Sequence, residues 1–85
     1  NNTAGSWSCI AIETTNDIGQ YSSLSLDSNN KDQISHYDST ANNLKYCNNT
    51  AGSWSCIAPD SLSNVGGTYG SLALDSNNKV HISFI

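Results

Sequence analysis

The sequence predicts an all-β protein. Three observations carry that reading: a long internal duplication, apolar residues that alternate with period two inside each copy, and turn-forming residues placed between the alternating runs. Composition agrees. Of the 85 residues 15 are Ser and 12 are Asn, types that favour turns and hydrogen-bonded loops over helix interiors, so an all-α chain is disfavoured.

The duplication sets the organisation. Asn1–Ala11 recurs without change as Asn48–Ala58, and Leu26–Lys31 recurs as Leu74–Lys79. The offset is 47, then 48 after one residue inserted between 59 and 67. The chain therefore divides into residues 1–20, the last strand of a preceding unit with its connection; 21–58, a complete four-stranded unit; and 59–85, a connection with the first two strands of the next unit.

Each strand has its own pattern. Leu24 and Leu26 alternate with Ser23 and Ser25, Ile34 stands between Gln33 and Ser35, Leu44 and Tyr46 flank Lys45, and Trp54 and Cys56 flank Ser55. Turn signals separate them at 28–30, 39–43, Ala51-Gly52 and 59–67. Strands are expected near 6–12, 21–27, 32–38, 44–49, 53–58, 69–75 and 80–85.

Register follows from the turns, because residues opposite one another in a hairpin share a face. A three-residue loop Ser28-Asn29-Asn30, with Asn30 in the left-handed conformation, pairs Asp27 with Lys31 and sets Leu24 against Ile34. The second unit then pairs Asp75 with Lys79, Leu74 with Val80, Leu72 with Ile82 and Gly70 with Phe84. A two-residue loop would set Leu24 against Ser35 and split the apolar face. Leu24, Leu26, Ile34, Leu72, Leu74 and Ile82 are accordingly expected to be the most buried side chains.

Units of about 40–50 residues with four strands each read as β-propeller-like four-stranded antiparallel blades, here one complete repeat plus most of a second. A β-sandwich or a linear β array is the alternative. The segment Tyr69–Ser83, YGSLALDSNNKVHIS, and Ile34-Ser35-His36-Tyr37-Asp38 followed by Leu44-Lys45-Tyr46 resemble the blade repeat SLALDSxGxxHISYYD…LKYA of bacterial and archaeal secreted or surface β-propeller proteins. Asn30 and Asn78 stand where that repeat has Gly, and Cys47 replaces a small residue. The resemblance implies a fold and an extracellular or cell-surface location; that family carries no defined catalytic set, so it supplies no site residues.

Taking Ala51-Gly52 as a hairpin centre makes Cys47 and Cys56 direct cross-strand neighbours, which predicts a Cys47–Cys56 disulfide and an oxidising compartment. Free thiols are the plainer alternative. Zinc is disfavoured because only His36 or His81 could add a further ligand and no Cys-x-x-Cys spacing is present. No metal or other cofactor is expected. Cys9, equivalent to Cys56, has no assigned partner.

Chemical motifs are weak. Asp27 and Asp75 faintly resemble the Ser-x-Asp-x-Gly box of sialidase-type propellers, but its Gly and aromatic are missing. The plainer expectation is a carboxylate accepting backbone N–H groups of its own turn and pairing with Lys31 or Lys79. Calcium through Asp27, Asn29 and Asp32 loses a ligand in the second unit, where Val80 replaces Asp32. His36 and His81 occupy different repeat positions, and no Gly-x-Ser-x-Gly turn accompanies the many serines. No enzyme activity is expected. Trp7, Trp54, Tyr21 and Tyr69 recur once per unit; they serve either a core between units or a stacking platform for a sugar ring. Asn1 and Asn48 each open an Asn-Asn-Thr glycosylation sequon.

Three Lys against seven acidic residues give a net charge of −4, which disfavours nucleic acid and anionic lipid surfaces as partners. The longest apolar run, Cys9–Ile12, is far shorter than the roughly 18–20 residues of a spanning helix, and no signal-like segment opens the chain, so no membrane insertion is expected. These features point to a non-enzymatic extracellular repeat module for ligand binding or adhesion, with carbohydrate or protein as ligand. A purely structural self-assembling surface or fibre protein is the second reading, and a fragment of a sialidase-like propeller enzyme the third. One unit and most of another cannot close a ring, so neighbouring repeats or homo-oligomer contacts are expected, the repeat phase favouring a window cut from a longer array.

Overall fold

A computed structural model describes residues 5–14, 16–59 and 68–85. Six strands follow in order: β1 (Ile18–Leu26), β2 (Asp32–Asp38), β3 (Asn43–Asn48), β4 (Ser55–Ile57), β5 (Ser71–Leu74) and β6 (Val80–Ser83). The first four form one antiparallel sheet in sequence order, the last two a separate hairpin. No helix occurs among the described residues, and so none long and apolar enough to cross a membrane. The 59–67 connection lies, from 60 onward, outside the described residues.

Both hairpin loops have the expected geometry. Asp27 N–H donates to Lys31 O at 3.0 Å and Asn30 N–H to Asp27 O at 2.9 Å; Asp75 and Asn78 repeat the pair at 3.0 Å each. Asn30 and Asn78 sit at φ 60° and 62°, in the left-handed region that Asn tolerates because its short amide bonds locally. The registers Leu24 with Ile34, Leu72 with Ile82 and Leu74 with Val80 follow from these loops. Cys47 pairs with Cys56, with Cα atoms 4.1 Å apart, and the disulfide joins them.

The ends of several strands differ from expectation. Residues 6–12 form no strand, although Gly5–Ala11 is identical to Gly52–Ala58, whose Ser55–Ile57 is β4. A strand needs a ladder partner: the second copy follows β3 directly and pairs Tyr46, Cys47 and Asn48 with it, whereas the first has no such neighbour among the described residues. Trp54 lies just outside β4, and Tyr69 and Gly70 just outside β5. β1 starts earlier than expected, at Ile18, and keeps its pairing to Asp38 by two register shifts around Gly19 (φ 98°) and Tyr21 (φ 54°). Thr68 and Ile85 exchange two backbone hydrogen bonds beyond the end of the β5–β6 ladder.

The core also departs from the expected set. Leu72 is buried at 7% exposure, but its repeat equivalent Leu24 is 61% exposed and Leu26 is 49% exposed; Ile34, Leu74 and Ile82 are half-buried. Among the described residues Leu44 and Cys47 are the other buried apolar ones, alongside the polar Gln33, Ser35, His36 and Asp38. The cause is the neighbour. The β5–β6 hairpin lies on one face of the four-stranded sheet, where Val80, Ile82 and Phe84 meet Leu44, Tyr46, Ile57 and Pro59 around a cavity of about 300 Å3. The opposite face, which carries Leu24 and Ile34, is overlain among the described residues by the irregular first segment, with Ser8–Ile10 and Ile12 across a cavity of about 560 Å3 and Glu13 beside Ile34.

Candidate functional site

Tyr21 and Tyr69 hold equivalent positions in the two units, five residues before the Leu-Asp that leads into each turn, Tyr21 inside β1 and Tyr69 just ahead of β5. Both adopt positive φ, 54° and 53°, which is a strained conformation for an aromatic residue and is held here by the shift in β1 and by the turn before β5. That backbone turns the two rings toward one another: their centroids are 4.6 Å apart and the planes tilt by 48°. Tyr37 of β2 adds an edge contact, its centroid 6.2 Å from that of Tyr21. The pair remains open to solvent, Tyr69 at 67% and Tyr21 at 42% exposure. A hydrogen bond with Tyr69 leads the causes that push the Tyr21 phenol above its ordinary range, followed by the repulsion of a charged Tyr69.

The tryptophans do not join this cluster by any ring contact. Trp7 is 76% exposed on the irregular first segment, while Trp54 is half-buried and lines the cavity with Cys9, Ile10, Leu24 and Ile34. Of the four aromatics singled out from the sequence, the fold thus brings together the two tyrosines. Tyr37 was not anticipated, because its partnership with Tyr21 depends on the β1 register shifts that no sequence pattern announces.

A second cluster was also missed. Glu13 accepts from His36 Nε2 at 3.3 Å and from Lys45 Nζ at 3.3 Å, bridging two cross-strand neighbours of β2 and β3. It stands beside Ile12, Ile18, Ile34 and Cys47 around a cavity of about 220 Å3. Glu13 also lies with the sulfurs of Cys47 and Cys56, but those sulfurs are joined in a disulfide and have no thiolate to offer a metal. The group is an ion-paired strut that fastens the first segment to the sheet. Its only signal in the sequence is that His36 and Lys45 face each other across a hairpin.

The two turn aspartates are engaged by their own backbone. Asp27 Oδ1 accepts from Asn29 and Lys31 N–H at 2.8 and 2.9 Å, Asp75 Oδ1 from Asn77 and Lys79 at 2.8 and 3.0 Å. Gln33 Nε2 reaches Asp27 Oδ2 at 3.4 Å, and His81 Nε2, at the equivalent place in the second unit, reaches Asp75 Oδ2 at 3.1 Å. His81 thus takes the role of Gln33. The Lys79 N–H, then His81, hold the Asp75 carboxyl below its usual range. No family model matches the chain, and no curated protein and no solved structure shows a significant match to it.

Proposed function

We propose that the chain is a non-enzymatic extracellular repeat module that binds carbohydrate through its exposed tyrosines, with protein as the alternative ligand. The observation that supports this most is the Tyr21–Tyr69 pair, two solvent-open rings held in contact at positive φ. Rings so placed offer an apolar face with a polar hydroxyl at the rim, the combination that stacks on a sugar and bonds its hydroxyls. Strain at both positions of a repeated residue is more readily understood as serving an exposed surface than as serving a core. The disulfide is compatible with an oxidising, extracellular setting. Exposed Leu24 and Leu26 favour the second reading, a structural self-assembling module.

A glycan array screened at high protein density tests the first reading. Binding to several glycans, lost at least tenfold in Tyr69→Ala while circular dichroism stays unchanged, is the expected result. An empty array would shift the assignment to the structural reading.

A further inference from the structure

The two units meet once within the chain, and that meeting shows which surface takes which. The Leu72 face of β5–β6 lies on the first sheet: Leu72 N–H donates to Ser23 Oγ at 3.2 Å, Ser28 N–H to Asn78 Oδ1 at 3.0 Å, and Asn78 Nδ2 to Ser28 Oγ at 2.7 Å. The equivalent face of the first unit carries Leu24 and Leu26, both exposed. On the side of the hairpin away from Leu72, Ser71, Ala73, His81 and Ser83 stand exposed in the positions that Ser23, Ser25, Gln33 and Ser35 hold beneath the hairpin. Each half of the intrachain interface is therefore present a second time as an exposed face of the same chain.

We propose that a second copy of this chain docks its Ser71, Ala73, His81 and Ser83 face on Leu24 and Leu26, head to tail, continuing the interface already formed inside the chain. The strip left for it has the right shape. Ile10 and Ile12 lie against Ile34 as Ile57 and Pro59 lie against Ile82, so the first segment occupies the place of β4. The incoming hairpin would take the places of β1 and β2, beside that segment and not on it. Repeat equivalence specifies the contacts: Leu24 N–H to Ser71 Oγ of the second copy, and Asn30 to its Ser76. The two patches differ, so the contact is heterologous and propagates into an open chain or a ring. The inference is independent of the carbohydrate reading.

Light scattering on the oxidised protein in a Cys9→Ser background, from micromolar to millimolar concentration, gives the test. The expected result is a mass that grows past the dimer with concentration. Leu24→Asp and Ala73→Arg are each expected to be monomeric alone and to form a one-to-one pair when mixed, since each retains one working half. Leu26→Asp replaces Leu24→Asp should the latter lose its circular dichroism signal. A monomeric wild type at the highest concentration overturns the proposal, and so does Ala73→Arg self-associating as well as the wild type, which would mean a like-to-like contact.

Discussion

Ser35 sits at 0% exposure on β2 with its hydroxyl lacking a hydrogen-bond partner among the described residues, a cost of about 1–3 kcal/mol for a buried polar group. Ser35→Ala removes the group and little volume. It is expected to leave stability unchanged or to raise it by about 1 kcal/mol, read from the chemical-denaturation midpoint; a loss of that size would show that the hydroxyl is satisfied. Asp38 behaves in the opposite way. Burial by itself would raise its carboxyl, but Asn16 Nδ2, the N–H groups of Ala41 and Thr40 and the charge of Lys45 together hold it below the usual value. A carboxyl depressed in the folded state contributes stability that is complete above its unfolded value and is lost as pH falls through the folded one. Denaturation midpoints should therefore drop on acidification below about pH 4, and Asp38→Asn should flatten that slope.

At the scale of the element, the β3–β4 hairpin shows how one covalent bond substitutes for strand length. β4 has three residues, too few for an independent ladder, and the Cys47–Cys56 bond closes a short loop across it. Reduction is expected to cost about 2–3 kcal/mol on loop-closure grounds, with β4 the first strand to lose amide protection in hydrogen exchange. Uniform loss of protection across all four strands would instead make the sheet a single cooperative unit. The same element bears on what the sequence could say. Hairpin register was legible because a turn fixes pairing locally, which is why Cys47 opposite Cys56 and Leu24 opposite Ile34 followed from residue spacing. Strand existence at 6–12 was not legible, since identical residues became a strand only where β3 lay alongside.

For the whole molecule, the two units supply an internal control. Leu24 and Leu72 share register and, apart from Ser25 against Ala73, their flanking residues from Ser23 to Lys31 and Ser71 to Lys79, yet one is open and the other is covered by the adjoining sheet. Leu72→Ala is expected to cost about 2–4 kcal/mol and Leu24→Ala, in a dilute monomer, less than about 1 kcal/mol. Equal losses would mean that the Leu24 face is covered in solution as well. The Tyr21–Tyr69 site is a product of this same scale. Each tyrosine was identifiable as a repeated aromatic, whereas their contact required the second unit to come down beside β1.

The sequence by itself determined the duplication, the Asp-Ser-Asn-Asn-Lys turns with their left-handed Asn, the pairing next to those turns, and the Cys47–Cys56 disulfide. All of these are set by residues close along the chain, where φ preferences and loop length leave few alternatives. Only the tertiary structure decided which of two equivalent faces is buried, which of two identical segments is a strand, and that Glu13 bridges His36 and Lys45. Burial and ladder pairing are properties of the surface alongside, and identical residues given different neighbours settle into different states.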